Sequence, residues 1–281
     1  MSLSRVRFDL ARRAAVLVLA LAPLAGCTSE GPVKPQTNVA EVQVDSGGSK
    51  GNIASLSEVV QRNPNDPSAY NTRGVAYAKI AQYQAAIEDF SKAIQLNPGF
   101  SGAYTNRALA YRQLEKDGPA LADFNAAISA NPNDAAAYLG RGNLLRAQGH
   151  LPEALADLDQ VIALNPEGAQ AFHARGLIYQ RQGNHAQAIT DFNNAIDRDP
   201  FAAAPYQARG QSLLDTGKYD AAIEDFNAAL NVDAKNADAW AGLGVAYEKQ
   251  NNKAKAMESY SRAIAVDPNN QVAHDGMTRL R

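Results

Sequence analysis

Small and apolar residues recur along the chain in a pattern that repeats every 34 residues from position 67 onward. In each repeat the fourth residue is aromatic, the eighth is Gly or Ala, the twentieth is Ala, and the twenty-fourth is large and apolar. A fixed period of this length indicates stacked supersecondary units. The pattern defines six units without insertion or deletion: 67–100, 101–134, 135–168, 169–202, 203–236 and 237–270.

Each unit is predicted to be a hairpin of two helices. Glycines such as Gly149, Gly183 and Gly217 interrupt the helical pattern in mid-unit, and a proline ends most units. The small eighth and twentieth residues would let the two helices approach closely, while the aromatic fourth and twenty-fourth residues would fill the space between units. The prolines that follow the 34-residue spacing are Pro64, Pro98, Pro132, Pro166, Pro200 and Pro268, with Ala234 at the one break in the series.

Shorter segments flank the six units and are predicted to cap them. Residues 53–66 have apolar residues at helical spacing and fit the second helix of a partial repeat. Residues 271–281 would begin another first helix, and the polar residues at this end, Asn270, Gln271, His274 and Arg279, are expected to face solvent. A solenoid requires such terminal caps to remain soluble.

These positions resemble the tetratricopeptide repeat in all six units, over residues 67–270. The resemblance implies an all-α fold, a right-handed superhelical solenoid of helix hairpins that serves as a scaffold for protein–protein interaction. In this family the first helices line a concave groove through their second, fifth, ninth, twelfth and thirteenth positions. These positions vary among the units far more than the packing positions do, which is expected if they carry specificity.

The resemblance assigns a candidate peptide-binding groove to the first helices. Arg112, Arg146 and Arg181 would place three guanidinium groups along its middle, among leucines, and an acidic, partly apolar peptide would suit that arrangement. The alternative is that these arginines only solvate the face. The candidate groove residues are Asn71, Val75, Thr105, Leu109, Arg112, Leu139, Asn143, Arg146, His173, Leu177, Arg181, Gln207 and Gln211.

A second charged pattern has a structural interpretation. The first five units carry Arg at the seventh position and Asp at the twenty-third, one on each helix of the hairpin. A site for a ligand would not need this pair in every unit, so we predict a ladder of structural ion pairs. The sixth unit has Leu243 and Ser259 at these positions, and the ladder is expected to stop there.

The N-terminal segment has the layout of an export signal. Residues 1–26 contain a basic stretch followed by an apolar run that is too short to span a bilayer. The run ends in Leu24-Ala25-Gly26-Cys27, which resembles the lipobox of bacterial lipoproteins, and Cys27 is the single cysteine of the chain. We therefore predict lipidation at Cys27, the alternative being an ordinary signal peptide with a chance cysteine.

The mature chain would then begin with a lipidated N-terminus and a flexible tether at 27–52, rich in Gly, Ser, Pro and Thr. In Gram-negative lipoproteins an Asp directly after the lipidated Cys tends to retain the protein at the inner membrane. Thr28 occupies this position here. The resemblance thus implies the bacterial outer membrane, with the protein on its periplasmic face.

Nothing in the sequence indicates chemistry of its own. The formal net charge of −2 gives no broad attraction to nucleic acid. The chain has no glycine-rich phosphate loop, and its four histidines have no cysteine partner and no spacing of two or three residues that would suit a metal site. We expect no catalytic residue, no metal, no cofactor and no enzymatic activity.

The resulting hypothesis is a lipid-anchored envelope adaptor, with a layout similar to lipoproteins of the new lipoprotein I type. Its partner would be a protein, either an envelope hydrolase or an assembly factor. Two alternatives remain: a pilotin or outer-membrane-protein assembly subunit, and a peptidoglycan-binding envelope module.

Overall fold

The computed structural model describes residues 49–281, and all regular secondary structure in this range is α-helical. The helices are α1 Ser49–Arg62, α2 Pro67–Lys79, α3 Tyr83–Leu96, α4 Ser101–Gln113, α5 Asp117–Ala130, α6 Ala135–Gln148, α7 Leu151–Leu164, α8 Ala169–Arg181, α9 His185–Arg198, α10 Ala203–Asp215, α11 Tyr219–Val232, α12 Ala237–Lys249, α13 Lys253–Val266 and α14 Gln271–Arg279.

The predicted signal peptide, Cys27 and most of the predicted tether lie outside the described residues. The predicted end of the tether at residue 52 does not coincide with a helix boundary, because α1 begins at Ser49. No apolar residue precedes Ile53 in this helix, so the hydrophobic pattern gave no signal for its first turn.

Helices α2 to α13 form six antiparallel hairpins, one for each 34-residue unit. Each helix packs on its neighbours in sequence, and the first helices of successive units also contact one another. The second helices of successive units make no such contacts within the part of the chain that the structure describes. The first helices therefore line the inner, more tightly curved face of the solenoid.

The twenty-fourth residue of each unit is the centre of its core. In the first unit, the ring of Phe90 lies so close to Gly74 of the same hairpin that a Cβ on that glycine would be 2.7 Å from it. In the second unit, the Phe124 ring likewise fills the space beside Gly140 of the next unit. The Phe226 ring makes both kinds of contact, with Gly210 of its own hairpin and with Gly242 of the next, so one side chain joins two hairpins. This residue is at most 1% exposed in every unit: Phe90, Phe124, Leu158, Phe192, Phe226 and Tyr260.

The aromatic fourth residue closes the connection between units. The Tyr70 hydroxyl donates a hydrogen bond to the Pro64 carbonyl at 3.2 Å, and the Trp240 indole N–H donates to the Ala234 carbonyl at 3.1 Å. Phe172 has no donor at this position, and there Arg198 lies over the ring and donates to the Pro166 carbonyl at 2.6 Å. These bonds satisfy backbone acceptors at the turn between consecutive hairpins.

The turn within each hairpin has a left-handed residue at the fifteenth position. Gly149, Gly183 and Gly217 adopt φ values of 83°, 76° and 77° there. The other three units use residues with side chains in the same conformation, which is less favourable for them than for glycine. They are Ala81, Glu115 and Asn251, with φ values of 58°, 56° and 60°.

The predicted ladder of ion pairs is confirmed in all five units. In each, the arginine Nε and one terminal nitrogen donate to the two carboxylate oxygens of the aspartate, at 2.6–2.8 Å. These hydrogen bonds raise the pKa of each arginine above its ordinary value. The pairs are Arg73–Asp89, Arg107–Asp123, Arg141–Asp157, Arg175–Asp191 and Arg209–Asp225.

The remaining nitrogen of each ladder arginine, Nη1, donates a hydrogen bond to a side chain of the preceding unit. Arg141 Nη1 donates to the Asn125 side-chain oxygen at 2.7 Å, and Arg175 Nη1 donates to the Asp159 carboxylate at 2.6 Å. Arg73 makes the corresponding bond to Ser57 of α1, at 3.3 Å. Each ladder arginine therefore links two hairpins, and α1 serves as the second helix of a partial unit.

The ladder stops at the sixth unit, as predicted. Leu243 is 2% exposed and packs among apolar residues, while the hydroxyl of Ser259 donates to the Lys255 carbonyl at 2.9 Å. Asn227, which would receive an arginine from the sixth unit, instead donates to the Ile223 carbonyl. The pair is thus replaced by an apolar contact and local hydrogen bonds.

Helix α14 covers the end of the sixth hairpin, but the prediction that Asn270 faces solvent is wrong. Asn270 is 7% exposed because it caps α14: its side-chain oxygen accepts from the Ala273 backbone N–H, and its amide donates to Asp238. Arg279 makes two hydrogen bonds to Glu248, which also accepts one from the Tyr260 hydroxyl at 2.6 Å. Polar contacts thus fix both ends of this cap.

Candidate functional site

The inner face of the solenoid contains two cavities that follow the first helices. The central cavity has a volume of about 280 Å³ and lies between α4, α6 and α8. The C-terminal cavity is larger, about 750 Å³, and extends from α8 to α14. His173 and Leu177 line both cavities. The two therefore form one continuous groove, which we call the inner groove.

The central cavity combines leucine side chains with cations. Leu109, Leu139 and Leu177 give it apolar walls, and Arg112 and Arg146 project from α4 and α6. None of the residues that line it is acidic. An apolar cavity with a few oriented polar groups is the usual form of a binding site in proteins.

Arg146 is the most unusual of these cations. Its Nε atom is buried and has no hydrogen-bond partner among the described residues. Burial lowers its pKa, and the positive charges of Arg112 and Arg181 lower it further. An unpaired guanidinium in this position is destabilising to the folded protein and favourable for binding an anion.

His173 lies beside Arg146 in the floor of the groove. Its ring contacts the Phe192 ring, with 5.9 Å between the centroids. Burial, and secondarily the charge of Arg146, lower the pKa of His173 to about 4. The imidazole is therefore neutral near pH 7 and can offer a hydrogen bond without adding charge.

The three glutamine side chains of the C-terminal cavity already have partners within the protein. Gln180 donates to the Ala208 carbonyl and to the Ser212 hydroxyl, at 2.8 and 2.9 Å. Gln211 donates to Asp215 at 2.8 Å, and Gln207 accepts from Asn236 at 2.7 Å. Lys249 also lines this cavity and has no ion pair within residues 52–280, so the C-terminal cavity contains one unpaired cation beside Asp215 and Asp238.

The predicted groove residues fall into three groups. Leu109, Arg112, Leu139, Asn143, Arg146, His173 and Leu177 line the central cavity, and Gln207 and Gln211 line the C-terminal one. Arg181 is exposed and lines neither, but its charge acts on Arg146. Asn71, Val75 and Thr105 line neither cavity and lie in the first two units.

Local packing explains these three exceptions. Thr105 is 4% exposed and donates to the Asp134 carboxylate at 3.0 Å, so its hydroxyl is used within the fold. Asn71 accepts a hydrogen bond from the Asn106 side chain at 3.1 Å. Val75 packs against the core between the first two units. Thr105 is therefore buried within the fold, whereas Asn71 and Val75 stay partly exposed.

Sequence reasoning missed the sixth position of the first helix. Gly140 and Ala174 form part of the central cavity, and Ala208 and Gly242 part of the C-terminal one. The first two units carry Thr72 and Asn106 at this position. The change from larger polar residues to Gly and Ala was the available signal that the inner face is more open from the third unit onward.

Residues 49–281 offer neither a metal site nor a membrane-spanning helix. No group of three or more His, Cys, Asp and Glu side chains in this range is arranged to hold a metal ion. None of the described helices combines the length and the apolar character that crossing a membrane requires.

The fold and the inner groove define a helical-repeat protein of the class that binds other proteins along a concave surface. The tetratricopeptide repeat family model matches residues 67–100, 105–169, 139–203 and 208–271, more than half of the chain. The chain belongs to the tetratricopeptide repeat family. A search of curated proteins gives no significant match.

Solved structures of repeat proteins resemble this fold closely. A chain of the APC/C hetero-tetramer Cut9–Hcn1 superposes with a TM-score of 0.72 at 21% identity, over 84% of this chain and 46% of that one, so the present chain spans about half its length. PilF of Pseudomonas aeruginosa gives 0.70 at 17% identity, over 78% and 99% of the two chains. YrrB, described as a repeat protein with an unusual peptide-binding site, gives 0.56 at 25% identity, over 68% and 99%.

Proposed function

We propose that this protein is a non-catalytic adaptor of the bacterial cell envelope, anchored by lipid at Cys27, which binds a segment of a partner protein in the inner groove. Membership of the tetratricopeptide repeat family supports protein binding. The lipobox-like Leu24-Ala25-Gly26-Cys27 and Thr28 support an anchor in the outer membrane with the repeats in the periplasm.

The observation that carries the binding proposal is the state of Arg146. In the ladder, arginines at the hairpin interface have both carboxylate and neighbouring side-chain partners, whereas Arg146 faces a cavity with its Nε buried and unbonded. A partner group that accepts this hydrogen bond would remove the penalty of an unsatisfied buried donor. YrrB, with 25% identity, offers a precedent for a peptide-binding site in this fold.

In-cell photo-crosslinking tests the binding proposal directly. A photoreactive residue at Asn143, which lines the central cavity, should capture a partner protein identifiable by mass spectrometry. The matched control is Ala156, an exposed residue on the second helix of the same unit. Capture of the same proteins from both positions, or no capture from Asn143, would contradict binding in the inner groove.

The identity of the captured protein separates the possible roles. An envelope hydrolase supports the adaptor, and an outer-membrane barrel protein or secretin supports a pilotin or assembly role instead. The fold likeness to PilF, at 17% identity, does not by itself favour a pilus role. Pelleting of the purified protein with isolated sacculi would favour the peptidoglycan-binding module, and hydrolysis of peptidoglycan by the protein alone would refute a non-catalytic role.

The anchor is tested by Cys27→Ala. We expect the variant to leave the membrane fraction, because a single site would carry all of the lipid and each buried methylene contributes about 0.8 kcal/mol to membrane binding. Metabolic labelling with a palmitate analogue should mark the wild-type protein alone. A Cys27→Ala variant that stays in the membrane fraction would show that another segment or a partner holds the protein there.

A further inference from the structure

We propose that the inner groove selects a partner segment in which acidic side chains alternate with apolar ones, with the carboxylates bound by Arg112, Arg146 and Arg181. This inference rests on the proposed function and names the chemistry of the partner. It identifies an internal stretch of a partner protein, rather than a chain terminus, as the occupant.

The first argument is the bonding of all arginines in residues 52–280. The other arginines in this range make an ion pair or a hydrogen bond, including the exposed Arg62 with Glu58 and Arg262 with Glu258. Only Arg112, Arg146 and Arg181 have no such partner within this range. These three are consecutive on the inner face, one in each of the second, third and fourth units.

The second argument is the mutual effect of these charges. Arg112 and Arg181 both lower the pKa of Arg146, which means that each of them is close enough to repel Arg146. A carboxylate bound between them would be attracted by all three and would relieve this repulsion. Carboxylates are also suited to guanidinium groups because the two can form paired, parallel hydrogen bonds.

The third argument is the apolar surface between the cations. Leu109, Leu139 and Leu177 line the same cavity, so a ligand that carries charge alone would leave this surface uncovered. A segment of alternating acidic and apolar residues fits both features. Because successive side chains of an extended peptide point in opposite directions, its apolar side chains can contact the leucines while its acidic ones reach the arginines.

The fourth argument concerns the path of the bound segment. The central cavity continues into the C-terminal cavity through His173 and Leu177, so a bound chain has room to run onward instead of ending. The C-terminal cavity contains Asp215 and Asp238 against the single cation Lys249, so its net negative charge does not favour further carboxylates. The acidic part of the partner segment is therefore confined to the central cavity.

A fluorescence anisotropy titration tests this inference on the full mature chain. The probe is a synthetic fluorescein-labelled nonapeptide of alternating Leu and Glu with an amidated C-terminus, and the comparison peptide has Gln in place of Glu. We expect the acidic peptide to bind at least about tenfold more tightly, the factor that corresponds to about 1.4 kcal/mol. Raising the salt concentration should reduce the difference in affinity between the Glu and Gln peptides, because salt screens the attraction between charges.

Protein variants assign the effect to the three arginines. Arg146→Gln should weaken binding of the acidic peptide at least about tenfold, and Arg112→Gln and Arg181→Gln should each weaken it severalfold. Arg62→Gln is the matched control, since it removes an exposed arginine far from the inner groove. It should leave the affinity within about twofold of wild type.

Several results would overturn the inference. Equal affinities for the Glu and Gln peptides, or no effect of Arg146→Gln, would show that carboxylates are not recognised there. Tighter binding of the free-acid peptide alone would indicate a site for a chain terminus. If Glu41→Gln combined with Asp45→Asn markedly increased the affinity for the probe, the protein's own N-terminal segment would be the occupant. If carboxylates are not recognised, or if a chain terminus is bound instead, specific crosslinking from Asn143 would still support the proposed function.

Discussion

Two rows of arginines run along this solenoid, and they differ in whether their side chains have bonding partners. The ladder arginines lie at the interface of each hairpin, each with two bonds to a buried aspartate and one to the preceding unit. The arginines of the inner groove, Arg112, Arg146 and Arg181, have no partner in residues 52–280. The same type of side chain thus bonds two hairpins together in one row and has no partner within residues 52–280 in the other.

The pKa values express this difference. Hydrogen bonds to aspartate raise the pKa of the ladder arginines, for example Arg141 with Asp157, whereas burial and neighbouring cations lower that of Arg146. Substitutions in the two rows are therefore expected to change the free energy of unfolding in opposite directions.

The largest effect is expected from Arg141→Leu. It would leave the Asp157 carboxylate, whose side chain is 6% exposed, without its cationic partner, at a cost of about 3–5 kcal/mol in the free energy of unfolding. Urea denaturation followed by circular dichroism measures the change. The control is Arg141→Leu combined with Asp157→Ser, which reproduces the natural Leu243 and Ser259 of the sixth unit and should recover most of the loss. Equal losses in the single and double variants would show that the ion pair is not what stabilises this hairpin.

A second effect comes from His173, whose pKa of about 4 in the folded protein lies below its ordinary value of 6.5. The unfolded chain binds more protons between these two values, so stability from this group is complete above pH 6.5 and falls as the pH is lowered toward 4. The loss is on the order of 2–3 kcal/mol. Urea midpoints measured from pH 7.5 to 5 should fall less steeply in His173→Gln than in wild type. His150→Gln, at an exposed position, should retain the wild-type slope.

Arg146→Leu tests the expected reversal of sign. It removes a buried, unpaired cation and extends the apolar wall of the groove, so we expect a gain of about 1 kcal/mol in stability and a loss of affinity for acidic peptides. The same denaturation experiment and the anisotropy titration measure the two quantities. Destabilisation by this change would mean that Arg146 contributes to the fold in the way that the ladder arginines do.

Glu115→Gly gives the smallest effect and separates stability from binding. Glu115 has a φ of 56° in the turn after α4, where glycine is more favourable, so the substitution should stabilise the protein by about 0.5–1 kcal/mol. The gain should be similar to that of Arg146→Leu, yet the affinity for the acidic peptide should not change. If Glu115→Gly also lowered the affinity for the acidic peptide, the loss of affinity in Arg146→Leu would be explained by a more rigid fold rather than by the removal of charge.

The repeat pattern predicted the fold well because its defining residues do the packing. The twenty-fourth residue and the ladder pair recur in sequence at the positions where they contact each other in space, and their spacing alone identifies both partners. Asn270 shows the limit of this reasoning. Its polarity suggested exposure, but a side chain that caps a helix can be both polar and buried.

The groove was predicted less completely, since exposure there depends on pairs of residues in different units. Thr105 occupies a position that faces the groove in the family, yet it bonds to Asp134, which lies 29 residues further along. Gly140 lines the central cavity, although it occupies the sixth position of its unit, which is not among the family's groove positions. That Arg146 has no partner within residues 52–280 could not be read from the sequence, because it depends on the distance of each acidic side chain in this range from the guanidinium.

The bonds that join successive hairpins also have a consequence for how the chain folds. Each ladder arginine is 16 residues from its aspartate and 16 residues from the side chain that it contacts in the preceding unit. Contacts at such short separations close small loops and favour rapid folding. We therefore expect each hairpin to dock on the one before it as soon as about half of its length has emerged during synthesis, so that the array grows from its N-terminal end without waiting for the rest of the chain.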